Sequence, residues 1–129
     1  MQKGMRVRRN RKVIPVLRIF VYRMATEFYV DWMGFIVKGE HRFEENSPVY
    51  MEISREHISL HLSEHHGDCC PGAKVFIEYT GLAQYHKFLT DKNYKYNKPG
   101  LEKAFWGGIC MEVVDPFNNK LLFSEKENP

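Results

Sequence analysis

Apolar and polar positions alternate over two runs near the end of the chain, at 109–114 and 120–124. The linker between them, Asp115-Pro116-Phe117-Asn118-Asn119, has turn chemistry, because Pro presets φ and Asn tolerates left-handed conformations. A β-hairpin is therefore predicted here. The second run ends in LLFSE at 121–125, and a similar LHLSE closes an alternating run at 60–64. The chain is predicted to contain a duplicated module.

The first copy of this module begins with a β-rich run at 13–19, where Pro15 suits a strand start or an edge. The period then changes to that of an amphipathic helix, with an apolar stripe of Met24, Ala25, Phe28, Tyr29 and Trp32. Gly34 is well placed to end this helix. Strands are predicted to follow at 35–37, 49–53 and 58–62. The first module is therefore β-α-β-β-β.

The same order recurs after the loop at 67–72, whose Pro71-Gly72 marks the junction. A strand is predicted at 74–79, a helix on the stripe Leu82, Tyr85, His86 and Leu89, and a strand at 94–96, before the hairpin. The fold class is α+β, with two βαβββ modules at about 13–66 and 73–126 in one domain, 13–126. The long link at 97–108 is a candidate binding loop, holding Phe105 and Trp106.

One helix can cover only one face of each four-stranded sheet, so the other face must meet water, a ligand or a second sheet. In the strand at 58–62, alternation leaves His57, Ser59, His61 and Ser63 on this open face. The strands of the second module place Lys74, Phe76, Glu78, Lys120, Leu122 and Ser124 there. Polar residues with a few aromatics suggest a cleft, in which Tyr50, Phe76 and Trp106 are candidates for touching a ligand.

The charge is distributed unevenly along the 129 residues, although the formal net charge is only +3. Residues 1–12 carry six basic and no acidic side chains, leaving 13 basic against 16 acidic in the rest. A basic arm could bind nucleic acid. No basic face continues into the domain, however, so we predict a disordered arm at 1–12 and no nucleic-acid partner.

The composition also predicts the type of protein. Hydrophobic residues make up 43% of the chain, enough for a packed core. No apolar run approaches the ~20 residues of a membrane helix, and the N-terminus has no apolar signal region. Cys69, Cys70 and Cys110 do not form the even framework of a small secreted domain. We expect a cytoplasmic protein with reduced thiols and no membrane partner.

Histidines are the most conspicuous candidates for chemistry. His57, His61 and His65 recur every four residues, with His66, Cys69 and Cys70 close behind. On a helix they would form a metal cluster, but on a strand His57 and His61 lie about 13 Å apart. They could not share one ion. The sequence also lacks a nucleophile elbow, a P-loop and a dinucleotide-binding glycine pattern. We expect no catalytic residue, no metal and no cofactor.

Four stretches in order resemble the vicinal-oxygen-chelate superfamily, which includes the glyoxalases, and within it the bleomycin resistance proteins. They are VIPVL at 13–17, EFYVDWMGF at 27–35, ISLHLS at 58–63, and the segment from Trp106-Gly107-Gly108 through the hairpin turn to Phe123. The resemblance covers residues 13–125. It implies curved mixed sheets built from paired βαβββ modules, in an intertwined homodimer whose grooves lie between the subunits.

Metal-dependent members of this superfamily place ligands on one strand near each module's start and one near its end. The four matching positions are Ile14, His61, Lys74 and Leu122. Only His61 could coordinate, and a catalytic ion needs about three protein ligands. The resemblance is therefore to the metal-free binding branch rather than to the enzymes.

In that branch the ligand is a bleomycin-like glycopeptide antibiotic, sequestered without chemistry, which gives resistance. The resemblance assigns the stacking aromatics to Tyr50 and Phe76, the groove tryptophan to Trp106 and a small polar strand-end residue to Ser63. Further candidates for the ligand-binding site are His61, Glu78 and Glu45. Two alternatives remain open. One is a metal-dependent glyoxalase- or dioxygenase-like enzyme using the histidines at 57–66, and the other is a binder of a different small metabolite.

Overall fold

The computed structural model of the protein describes residues 11–127, which fold into two four-stranded mixed sheets and two helical segments. The first sheet contains β1 (Val16–Arg18), β2 (Ile36–Arg42), β3 (Val49–Arg55) and β4 (Ile58–Ser63). The second sheet contains β5 (Lys74–Glu78), β6 (Glu102–Lys103), β7 (Ile109–Val114) and β8 (Lys120–Glu125). The helices are α1 (Tyr22–Thr26), continued by a π-helical segment (Glu27–Trp32), and α2 (Leu82–Asp91).

The two sheets have the same topology. Their strand orders are β1-β4-β3-β2 and β5-β8-β7-β6, and in each the first strand is parallel to the last while the other pairs are antiparallel. The parallel registers place Leu17 beside Leu62 and Val75 beside Leu121. The predicted α+β fold of two βαβββ modules is confirmed.

One hydrophobic core joins the two modules. Both sheets contribute side chains that are at most 1% exposed, among them Leu62 and Phe123. The helices also bond to each other: the Trp32 indole donates to the Leu89 carbonyl (3.1 Å) and the Tyr85 hydroxyl to the Met33 carbonyl (2.8 Å). Because these buried polar groups find partners across the junction, the modules pack as one unit.

The predicted helix in the first module is present, and its stripe residues Phe28, Tyr29 and Trp32 are buried. Gly34 follows it with φ +90°, in the left-handed region that glycine enters without steric cost. The strand predicted at 35–37 is longer than expected. As β2 it reaches Arg42, with a register shift between Val37 and Gly39.

The strand predicted at 94–96 is wrong, because this segment forms a turn. The Tyr94 ring lies 5.0 Å from that of Trp32 and 6.4 Å from that of Phe28. The aromatic alternation therefore reflects packing against the first module's helix rather than strand pairing. The missing strand is β6, within the link that was predicted to be a loop.

The hairpin between β7 and β8 is confirmed. The Asp115 amide donates to the Asn119 carbonyl (2.8 Å), and Asn118 takes φ +72°. Residues 1–10, most of the predicted disordered arm, lie outside the described residues. Within 11–127, no helix is long and apolar enough to cross a membrane.

Glu125 caps α2 from a distant strand. The helix begins after Gly81, which supplies no side-chain cap, and the Glu125 carboxylate accepts hydrogen bonds from the Gly81 and Leu82 amides at 3.0 Å each. These two bonds hold the pKa of Glu125 below its usual value. A carboxylate at this end also interacts favourably with the helix dipole.

We expect Glu125→Gln to lower the free energy of unfolding at pH 7 by about 1 kcal/mol, the typical contribution of a cap. Since the folded pKa is depressed, the stabilisation is present above the unfolded pKa and is lost as pH falls through the folded one. Chemical denaturation at pH 7 and near pH 3 should thus show a parent–variant gap that closes in acid. A gap equally large at both pH values would contradict this role.

Candidate functional site

The open face of the second sheet is formed by residues that alternate with its core positions. The register places Phe76 beside Leu122, and Leu122 beside Glu112 of β7. Leu121 and Phe123, on the same strand as Leu122, are fully buried on the other side. Phe76 is 54% exposed. A large aromatic side chain thus stands on an open sheet face.

A tight turn brings a second aromatic ring over this face. The Ala104 amide donates to the Gly108 carbonyl and the Gly107 amide to the Ala104 carbonyl (3.0 Å each), and Gly107 and Gly108 both have positive φ. The Trp106 indole donates to the Ser124 hydroxyl of β8 (3.1 Å), and its ring centre lies 6.0 Å from that of Phe76. Phe76 and Trp106, the aromatic pair from here on, are tilted by 54° to each other, and each ring offers an apolar face for stacking.

Carboxylates and lysines lie beside the aromatic pair. A cleft of about 370 Å³ beside Trp106 is lined by Lys74, Gly100, Glu102, Cys110, Glu112 and Leu122. Glu112 is paired with Lys74 at 3.3 Å, and Glu78 with Lys126 at 3.4 Å. These pairs are solvent-exposed and so weak. The site can therefore stack a planar ring and attract a positive charge.

The open face of the first sheet is polar. Its register lines up Arg18, Ser63, Tyr50 and His41 in a row across all four strands. Tyr50 also contacts a residue outside this row, because its hydroxyl is hydrogen-bonded to His61 Nδ1 (2.8 Å). Ser63 is fully buried, because the following loop covers it: its hydroxyl donates to Asp68 (2.6 Å) and accepts from the His65 amide (3.0 Å).

The seven site residues predicted from sequence fall into three places. Phe76, Trp106 and Glu78 come together on the second sheet, and Tyr50, His61 and Ser63 on the first. Glu45 lies in the β2–β3 connection, lining a different cleft. The predicted stacking partners Tyr50 and Phe76 have different ring neighbours in this chain, His61 and Trp106 respectively. Their ligand roles stay predictions.

Sequence reasoning missed several residues on these faces. Alternation within 109–114 could have identified Glu112 and Cys110. On β7 they lie beside Leu122 and Ser124 of β8, respectively, and so on the same open face. Arg18 gave a weaker signal, because it reads as the polar end of an apolar strand. In the structure Arg18 is buried, with only 8% of it exposed.

A separate cavity of about 410 Å³ contains none of the predicted site residues. It lies beside the first module's helix, the turn at 94–97 and the β7–β8 hairpin, and is lined by residues that include Met24, Glu27, Phe28 and Tyr94. The Tyr94 hydroxyl donates to Glu27 at 3.5 Å, and burial, with the Glu27 charge adding to it, raises the pKa of Tyr94 to about 12. Tyr94 is therefore a neutral donor here.

The four positions matching metal ligands do not fit a catalytic metal. His61 is bonded to Tyr50 and lies beside Val16 in the parallel register, and Leu122 lies beside Phe76. In the part of the chain that the structure describes, no group of three His, Cys, Asp or Glu side chains could hold an ion. A donor set of one histidine falls short of the about three protein ligands such a site needs.

Solved structures with this fold include both binding proteins and glyoxalase-family proteins. A bleomycin resistance determinant encoded on the transposon Tn5 is 19% identical, with a TM-score of 0.71 over 92% of this chain and 100% of that chain. A bleomycin-binding protein complexed with bleomycin is also 19% identical, with a TM-score of 0.69 over 92% and 100%. A glyoxalase family protein from Enterococcus faecalis is 16% identical, with a TM-score of 0.65 over 87% and 94%.

These likenesses establish the fold alone. No curated protein matches the sequence significantly. The model of a family described as "Glyoxalase superfamily protein", in contrast, matches residues 4–129. Since this match spans nearly the whole chain, the protein belongs to the glyoxalase superfamily.

Proposed function

We propose that this protein binds a flat, cationic small molecule of the bleomycin type and sequesters it without chemistry. The observation that carries the proposal is the exposed aromatic pair, Phe76 and Trp106, on the open face of the second sheet. Glu102 and Glu112 line the cleft beside Trp106, and Glu78 lies two residues after Phe76 on the same face of β5. Stacking holds a planar heteroaromatic ring, and the carboxylates attract its cationic tail.

Two lines of support come from outside the site geometry. Two similarly folded proteins are described as a bleomycin-binding protein and a bleomycin resistance determinant. The positions that would hold a metal in an enzyme carry unsuitable side chains here, with His61 as the one possible ligand. Binding without catalysis is therefore favoured over a metal-dependent reaction.

The proposal includes a homodimer with grooves between its subunits. Tyr50 and Phe76 stand on separate sheets of one chain, each against a different ring. A groove between subunits would place the first sheet of one chain opposite the second sheet of the other and so bring both residues to one ligand. Light scattering at micromolar concentration should give the dimer mass, and a monomer mass would contradict this arrangement.

Removing the aromatic pair should weaken ligand binding at every salt concentration. Each ring contributes about 0.5–1.5 kcal/mol of stacking beyond area burial, and ~1.4 kcal/mol is a factor of ten in affinity. We expect Phe76→Ala to raise the Kd for bleomycin about tenfold or more in calorimetric titration, and Trp106→Ala to act similarly. Phe43→Ala is the matched control, because Phe43 is 92% exposed on the β2–β3 connection of the other sheet.

Charge should act differently from stacking. Glu78→Gln should slow association, and this loss should fade as added salt screens the carboxylate. Dialysis against a chelator should leave the affinity unchanged. The proposed site is refuted if the parent does not bind bleomycin, or if Phe76→Ala and Trp106→Ala bind it as tightly as the parent.

A further inference from the structure

Arg18 is a buried cation on the open face of the first sheet. It is the last residue of β1, lies beside Ser63 in the parallel register, and is 8% exposed. Its guanidinium carbon lies 4.6 Å from the centre of the Phe20 ring. This contact gives the guanidinium no hydrogen-bond acceptor, and its five N–H donors still need one.

That partner is missing among residues 11–127. The Arg18 guanidinium makes no hydrogen bond and no ion pair within 4.0 Å there, and its Nη1 atom is completely buried without an acceptor. Arginine cannot relieve such a situation by losing its proton. A buried charge without a partner is strongly unfavourable, so an acceptor from elsewhere is expected at this position.

Neighbouring groups of the loop after β4 do not serve as this acceptor. Asp68 accepts a hydrogen bond from Ser63 and lies outside ion-pair distance of Arg18. The Cys69 thiol lies close enough to feel the Arg18 charge, but burial and Asp68 raise its pKa more than Arg18 lowers it. Cys69 is therefore a neutral thiol at neutral pH and supplies no negative charge.

We propose that Arg18 is the anchor of a second binding site, for the oxyanion of a small molecule carrying a carboxylate or phosphate group. A guanidinium fork matches both groups in bidentate geometry. On the same face, Tyr50 lies beside Ser63 and is bonded to His61, so polar groups continue away from the anchor for the rest of the molecule. Within one chain this face is separate from the aromatic pair, which lies on the other sheet, whereas in the proposed dimer the two would line opposite sides of one groove.

The test titrates the parent with inorganic phosphate and, separately, with acetate, at constant ionic strength set by chloride. Melting temperature and calorimetry are the two measurements. We expect saturable stabilisation by at least one anion, and the stronger one identifies the ligand's group. Arg18→Met keeps the aliphatic stem and should weaken that binding at least tenfold. Arg18→Lys keeps the charge but loses the fork, so its affinity should be intermediate.

The melting temperature without added anion is a second measurement, and here Arg18→Met should not lose stability although it loses anion binding. If Arg18 lacks a partner, Arg18→Met should melt at the same temperature as the parent or higher, because it removes an uncompensated charge. Arg42→Met is the matched control: Arg42 also stacks on a ring, that of Tyr22, but it is exposed and bonded to the Ser47 carbonyl. Its anion affinity should equal the parent's.

Any of the following results would overturn the proposal. The first is a parent that shows no saturable response to phosphate or acetate. The second is an equal loss of anion binding in Arg18→Met and Arg42→Met, which would mean non-specific attraction. The third is an anion-free Arg18→Met that melts well below the parent, since Arg18 would then have a structural partner. Should Arg18→Met fail to fold, Arg18→Lys with unchanged anion affinity would also refute it.

Discussion

Asp115→Ala should lower the free energy of unfolding by about 3–5 kcal/mol, because it leaves several buried donors without an acceptor. The Asp115 carboxylate, 4% exposed, accepts from the Tyr29 hydroxyl (2.6 Å), from the Phe117 and Asn119 amides (2.8 Å each) and from the Asn119 side chain (2.9 Å). Burial raises the pKa of Asp115, and these donors act against the rise. They are what keeps a carboxylate acceptable inside the protein.

The effect should be large because the network joins both modules. The Asn119 side chain also donates to the Arg18 carbonyl of β1 (2.8 Å) and accepts from the Ala73 amide just before β5 (3.1 Å). Tyr29 belongs to the helical segment of the first module. Loss of Asp115 therefore loosens the hairpin turn, the helix and the junction between the sheets together.

Denaturant unfolding at pH 7 measures this prediction. Asp91→Ala is the control, since its exposed pair with Lys87 (2.9 Å) should contribute less than about 0.5 kcal/mol. The loss of unfolding free energy in Asp115→Asn should lie between those of Asp115→Ala and Asp91→Ala. The amide keeps one oxygen acceptor but turns an N–H₂ toward groups that donate. A loss below about 1 kcal/mol in Asp115→Ala would show that the network is unimportant for stability.

The parts of the fold that were predictable from sequence are those where one face is buried and the turn chemistry is local. β4, β5 and β8 alternate because their inward residues enter the core, and the turn at 115–119 closes through backbone bonds among its own residues. The turn at 94–96 shows the limit of this signal. Tyr94 packs on Trp32, a residue far away in sequence, so its spacing mimics a strand without forming one.

The candidate site was predictable only to the level of faces. Alternation identified the outward positions of Phe76 and Glu78, but no local pattern says which sheets adjoin, so the pairing of Phe76 with Tyr50 came from the resemblance alone and stays a prediction. Alternation also gives the face of Ser63 but not its cover, which comes from the loop residue Asp68. The buried state of Arg18 likewise depends on Phe20 and on the chain packed around it.

Gly108→Ala should destabilise the protein by about 2–4 kcal/mol, and it should also weaken ligand binding. Gly108 has φ +83°, and a Cβ there would overlap the carbonyl oxygen of Glu125 and lie 3.1 Å from the Glu127 amide nitrogen. Both neighbours are backbone atoms, so no side-chain rotation can relieve the clash. The adjoining turn must move instead.

That movement links the substitution to the proposed ligand site. The turn carries Trp106, whose position depends on its hydrogen bond to Ser124 and on contact with Phe76. We expect Gly108→Ala to shift the tryptophan fluorescence and raise the Kd for bleomycin along with the loss of stability. Gly67→Ala is the control, because its Cβ would meet nothing within 4 Å and its φ is not positive. It should remain within about 0.5 kcal/mol of the parent. A Gly108→Ala protein as stable as Gly67→Ala would show that this turn can relax without cost. If Gly108→Ala is destabilised but binds bleomycin as tightly as the parent, the turn does not contribute to the ligand site.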